Sequence, residues 1–338
     1  MAKVTILGAG AMGSALVTPL RARGHQVALW GTWLDDVFLS DYADGTPHPG
    51  TKEVIPAGTD VYASSELAQA LAGADAVIVA VASVGVTTVS GMAAAHIPEP
   101  AIVAMVSKGF HRGRDGRIEL MTQGVRQGLE RPDLPVVAVG GPVKANEVAA
   151  GRATATIYAA RDLTVAQQMV SLIRTPHYRP HASNDEAGVE TAAPMKNVYA
   201  IAIGIADGME SATGVPWHNL RSALFAQAVA EINTFAGPFG GRPETIFGLA
   251  GVGDLEVTGV SGRNKVFGAR LGSGESAASA LNAMAQAGQT VEGVAATGLA
   301  VELAGQLGLD VETDLPLLAA VGRVLDGADA KQSVISVL

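Results

Sequence analysis

The stretch KVTILGAGAMGSALVTPLRARGHQVALW, residues 3–30, decides the fold. A short β-branched run ends at Gly8. Gly10 and Gly13 follow at G-x-G-x-x-G spacing, and a helix-length segment to about Arg23 leads into a second apolar run, QVALW. In a strand–turn–helix, the first glycine permits a tight turn and the second lets backbone approach a pyrophosphate. The third lets the helix sit close on the sheet, and the free N–H groups of the helix face the anion. Gly8, Gly10, Ala11, Met12 and Gly13 are therefore expected to cradle a dinucleotide, NAD or NADP. An acid normally ends the second strand to hold the ribose 2′-hydroxyl. Here the chain continues GTWLDD, with Thr32 in that place, no arginine nearby, and Asp35 and Asp36 too far along the chain to fill it. The sequence does not separate the two dinucleotides.

Working outward, the runs DAVIVAV, AIVAMVS, VVAVGG, ATATIYA and HYRPHAS join KVTILG and QVALW as candidate strands before about Ser183. Most are apolar throughout, as strands covered on both faces must be. Their alternation with helix-length segments predicts an α/β fold: an N-terminal Rossmann-like doubly wound sheet in residues 1–183, with its ligand at the carboxyl ends of the strands. Lys108, in VSKGF, falls at such an end and is a candidate ligand contact; Lys144 and Asn146, after the Gly-Pro turn of GGPVKANEV, are weaker ones. DGTPHPGTKEVIPAG reads as a long, turn-rich loop.

Beyond residue 184 the β-branched runs stop, and Ala-rich helical periods predict an all-helical C-terminal domain, 184–338. Within VETAAPMKNVYAIAIGIADGM, Lys196 shares a helical stripe with Val189, Ala192, Tyr199, Ala200 and Ile203. An ammonium there must find a partner or snorkel to water. Pro194 predicts either a bend or a helix start just before it. The segment GVGDLEVTGVSGRNKVFG gathers Asp254, Thr258, Arg263, Asn264 and Lys265 among glycines. It reads as a turn in which a planar guanidinium and neutral donors could grip a phosphate.

The totals exclude several classes. A net charge of −9 argues against nucleic-acid binding and polybasic membrane attachment. The absence of cysteine removes thiol nucleophiles, disulfides and thiolate metal sites. No apolar stretch approaches the ~20 residues of a spanning helix, and no metal-ligand spacing is apparent. The expectation is a cytoplasmic protein without membrane insertion.

GAGAMG, SKG, GP…EV, VE…KN, GDLEVT, SGRN, VEG and DLPLLAAVGRVLDG, in this order over the whole chain, resemble the NAD(P)-dependent glycerol-3-phosphate dehydrogenases. The resemblance implies interconversion of glycerol 3-phosphate and dihydroxyacetone phosphate by hydride transfer, with Lys196 as general acid/base and Lys108 and Asp254 beside it in the catalytic site. A free lysine, with a pKa of about 10.4, is a poor base at neutral pH, so burial with other cations nearby is expected to lower it. The resemblance places Asn197, Thr258, Arg263 and Asn264 on the substrate, the last two on its phosphate. It places Glu292 on the cofactor side and implies a possible homodimer. Gly-Pro-Val-Lys-Ala and Ala-Pro-Met-Lys-Asn, which include Val143, Lys144 and Pro194, depart from the family pattern. Another polyol phosphate, such as a four-carbon one, is the alternative substrate; a dinucleotide-binding regulatory module without turnover is the alternative from a different class.

Overall fold

The computed structural model describes residues 1–338 as two compact units, one of residues 1–111 and 120–186, the other of residues 112–119 and 187–338. The first is built on an eight-stranded sheet. In chain order the strands are β1 (Lys3–Leu7), β2 (Gln26–Trp30), β3 (Thr59–Tyr62), β4 (Ala76–Val79), β5 (Ile102–Met105), then a separate two-stranded hairpin of β6 (Phe110–Arg112) and β7 (Ile118–Leu120), then β8 (Val136–Gly140), β9 (Thr154–Ala159) and β10 (Tyr178–Ser183). Across the sheet the order is β10-β9-β8-β5-β4-β1-β2-β3, parallel except where β9 runs against β8. All seven apolar runs are strands. The edge strand β3 had no apolar run to announce it, because all four of its residues are only partly buried.

Period-two alternation explains why these strands read as continuously apolar. Val4, Ile6, Ile78, Ala104 and Val137 enter one core cluster, while Leu7, Val77, Val79, Val103, Met105 and Val136 enter the other. Helix Ala11–Ala22 covers the first cluster with Leu16, Val17 and Leu20, all fully buried. A helix of this length is marginal alone, whereas each such side chain contributes roughly 1.5–3 kcal/mol on burial. The packed face therefore holds the helix. The order of strands reverses direction between β1 and β4, so the carboxyl ends of these two strands flank the crevice that ligands use in such sheets.

Residues 187–338 contain helices and no strand. The longest helix, Glu186–Thr213, is fully buried along most of its centre and runs straight through Pro194. It therefore does not start at the proline, as one sequence expectation had it; burial of its apolar surface outweighs the ~3 kcal/mol proline penalty. Helix Arg263–Gly272 lies against it at backbone distance: added Cβ atoms at Gly204 and Gly208 would come within 2.2 Å of backbone oxygens, and those at Gly268 and Gly272 within 2.0 Å. Two i, i+4 glycine pairs thus press one helix onto the other. Glu231 locks a third: it accepts from Tyr199 Oη at 2.8 Å and from the first amides of helix Pro316–Leu325, Leu317 and Leu318, at 2.6 and 3.0 Å. Residues 112–119 join this unit through Arg112 paired with Glu302 and the Ile118 N–H donated to Gln306.

Candidate active site

In the first unit the candidate site is mostly backbone. Gly8 has φ +113° and donates its N–H to the Trp30 carbonyl at 2.8 Å, which ties the glycine turn to the end of β2. A Cβ on Gly13 would stand 2.0 Å from the Gly8 carbonyl oxygen, so only glycine lets the helix sit this low. Gly10 differs. Its φ is −65°, and a Cβ there would touch no protein atom within 4 Å. The space over Gly10 is open, and helix Ala11–Ala22 carries no acid in its first turn, so a dinucleotide pyrophosphate fits this cradle.

Two side chains that sequence reasoning passed over brace the turn. Asp35 Oδ2 accepts from the Thr32 N–H (2.8 Å), the Thr32 hydroxyl (2.9 Å) and the Ala9 N–H (3.3 Å). Thr32 and Asp35 form a turn, closed by the Asp35 N–H on the Thr32 carbonyl at 2.9 Å, which carries the carboxylate back to the end of β2. The expectation that Asp35 lies too far along is thereby corrected, because the turn shortens the path along the chain. His48 is buried, with Nε2 on the Ala9 carbonyl at 2.9 Å and Nδ1 accepting from the Gly50 and Thr51 amides. Burial lowers its pKa from the ordinary histidine value, although the Ala9 hydrogen bond and Asp35 work against that.

Met12, Lys108, Gly140 and Val143 line one small cleft, which brings Lys108 beside the residue that follows the fingerprint turn. Lys144 and Asn146 stand at the start of the short helix Ala145–Ala149. A larger cavity of this unit, among Glu99, Arg131, Leu134 and Gln168, contains none of the anticipated site residues.

In the second unit the candidate residues are side chains. Lys196 is 7% exposed, and its stripe partners Val189, Ala192, Tyr199, Ala200 and Ile203 are buried. Its ammonium does not snorkel. Nζ donates to Asp254 Oδ1 in a very short contact and to Thr258 Oγ1 at 2.9 Å. Asp254 and Thr258 are one turn apart on helix Asp254–Ser261, so they reach the same amine. Thr258 in turn donates to the Asp254 carbonyl at 2.7 Å. The lysine thus meets an anion and a hydroxyl within this unit.

Beside this pair, Asn197 Nδ2 donates to Glu292 Oε2 at 3.2 Å, and its Oδ1 accepts from Asn264 Nδ2 at 3.0 Å. Asn264 Oδ1 accepts the Gly293 N–H at 2.8 Å, and Arg263 Nη2 meets Glu292 Oε1 at 3.2 Å. Arg263 remains 51% exposed, while Asn264 is buried. The expected glycine-rich turn is instead two helices joined at Gly262, because Gly262 has ordinary extended angles and caps helix Arg263–Gly272. Lys265 turns away to Asp207 at 3.0 Å. The first helical bond runs from the Val266 N–H to the Gly262 carbonyl, so the amides of Arg263, Asn264 and Lys265 precede any helical acceptor. An exposed guanidinium next to a helix N-terminus with no acid in its first turn suits a phosphate.

A glycine-fingerprint sheet followed by a helical unit with a buried lysine–carboxylate pair defines the class of nicotinamide-dinucleotide dehydrogenases. Residues 3–166 match the N-terminus, and residues 185–336 the C-terminus, of NAD-dependent glycerol-3-phosphate dehydrogenase. A glycerol-3-phosphate dehydrogenase [NAD(P)+] of Xanthomonas campestris pv. campestris is 34% identical over 96% of this chain and 91% of its own. A second, from Lactobacillus delbrueckii subsp. bulgaricus, is also 34% identical, over 99% and 96%. The crystal structure of glycerol-3-phosphate dehydrogenase from Coxiella burnetii superposes with a TM-score of 0.84 at 29% identity, covering 99% of this chain and 98% of that one. The chain belongs to the NAD-dependent glycerol-3-phosphate dehydrogenase family. No helix is long and apolar enough to cross a membrane.

Proposed function

We propose that this chain interconverts sn-glycerol 3-phosphate and dihydroxyacetone phosphate, with NAD or NADP as cofactor and Lys196 as the proton carrier. The observation that carries the reading is the buried Lys196–Asp254–Thr258 cluster, a proton donor held in a fixed direction. Gly8, Gly10, Ala11, Met12 and Gly13, with Thr32, hold the dinucleotide, which supplies or accepts the hydride when bound. In ketone reduction the Lys196 ammonium gives its proton to the oxygen forming at C2; in oxidation the neutral amine takes that proton from the hydroxyl. Asp254 orients the amine, and Lys108 supports the developing oxyanion. Arg263, with the first amides of its helix, binds the phosphate. Asn264 and Asn197 complete the substrate side, and Glu292 serves the cofactor side.

The reading includes a cytoplasmic, homodimeric enzyme, as the family resemblance implies. Following the ultraviolet absorbance of the reduced dinucleotide with dihydroxyacetone phosphate, and then with four-carbon ketose phosphates, tests it. Faster turnover of the four-carbon compounds would move the substrate assignment to the longer polyol, and no turnover of either would favour a regulatory module.

A further inference from the structure

We propose that Asp35 makes this chain selective for NAD(H) over NADP(H) by accepting the hydroxyls of the adenosine ribose; this rests on the dinucleotide-dependent reading above. The Thr32–Asp35 turn brings the carboxylate to the end of β2, and Oδ2 reaches the Ala9 amide inside the fingerprint itself. That is where the ribose lies in folds of this kind. Three donors are spent on Oδ2, which fixes the carboxylate, while Oδ1 receives no hydrogen bond from the protein. An ionised carboxylate only accepts. It matches the vicinal diol of NAD, which donates. A 2′-phosphate offers no hydrogen there and adds a charge of about −1.5 to −2 against a fixed anion.

The surrounding charges do not rescue that phosphate. Asp36 is a second carboxylate, engaged by the Ser64 amide and hydroxyl. Arg21 directs its guanidinium to the carbonyls of His25 and Ala57. Burial lowers the pKa of His48, whose Nδ1 accepts from the Gly50 and Thr51 amides. Lys52 is the nearby cation, exposed and acting on His48.

The test is direct titration of the substrate-free protein with NADH and with NADPH, followed by nicotinamide fluorescence, for the wild type, Asp35→Asn and Lys52→Ala. A hydrogen bond to a charged group sets the scale at about 10- to 100-fold in affinity. The wild type is expected to bind NADH at least about 10-fold tighter than NADPH. Asp35→Asn is expected to weaken NADH, leave NADPH equal or tighter, and remove most of the ratio, whereas Lys52→Ala preserves it. Mere disruption of the turn would weaken both dinucleotides by the same factor. An unchanged ratio in Asp35→Asn, an equal affinity in the wild type, or a ratio that moves with Lys52 overturns the proposal. Selective binding without turnover of dihydroxyacetone phosphate would sink the proposed function and leave this inference standing. Turnover with both dinucleotides alike would do the reverse.

Discussion

The candidate residues of the two units differ in kind. Around Gly8–Gly13 they offer backbone amides, and what matters is which side chains are missing. Around Lys196 they are side chains from four separate helices, each held by another: Lys196 by Asp254 and Thr258, Asn197 by Asn264 and Glu292. A site made of backbone lies within a few residues of chain and tolerates change in all but its glycines. A site made of side chains spans residues 196–292, and a change at one member leaves its partners unsatisfied.

This contrast can be broken most forcefully at Lys196. Lys196→Ala is expected to lower kcat by about 10²–10⁴-fold, the range of a lost general acid/base. Stability should fall by roughly 3–5 kcal/mol because the buried Asp254 carboxylate loses its ammonium. Dinucleotide affinity should hold. Stopped-flow turnover, thermal unfolding and fluorescence titration read the three separately, and retained turnover removes Lys196 from the role. Next is Arg263→Ala, which should raise the KM for the phosphorylated substrate about 10- to 100-fold with little change for the cofactor. Equal shifts in both would dissolve the assignment to phosphate.

The backbone half is sharpened by two glycines. Gly13→Ala forces a Cβ to within 2.0 Å of the Gly8 oxygen, so stability should drop by about 1–3 kcal/mol along with dinucleotide affinity. Gly10→Ala meets nothing in the protein. It should unfold at the wild-type temperature and still bind dinucleotide more weakly; normal binding would mean that the open space is not the pyrophosphate site.

The smallest effect is a pH dependence. Because the pKa of His48 is lowered mainly by burial, the unfolded chain takes up a proton at this residue before the folded chain does. The stability involved is intact above the unfolded value of about 6.5 and is lost as pH falls below it. Chemical denaturation between neutral and mildly acidic pH should show a slope that His48→Gln flattens. A slope unaltered in the variant would assign it to other groups.

Much of this was legible from residue order. G-x-G-x-x-G behind a β-branched run gave the turn, and the apolar stripe around Lys196 posed the choice between a partnered amine and a snorkelling one. What escaped were contacts between residues far apart in the chain, or brought together by a turn. Nothing near Lys196 in the chain says that its partner is an aspartate 58 residues away. Nor does GTWLDD show that a turn folds Asp35 back onto Ala9. A helix start at Pro194 failed for a related reason, since burial on all sides carried the helix through the proline.

The sequence by itself determined the strand-and-helix alternation, the dinucleotide fingerprint and the apolar stripe that carries Lys196, because these depend on periodicity and spacing over a few residues. Only the tertiary structure decided that Asp254 meets the lysine, that Arg263 heads a helix, and that Asp35 stands beside the fingerprint. Charge interactions depend on distance in space, and folding brings together groups that the chain keeps apart.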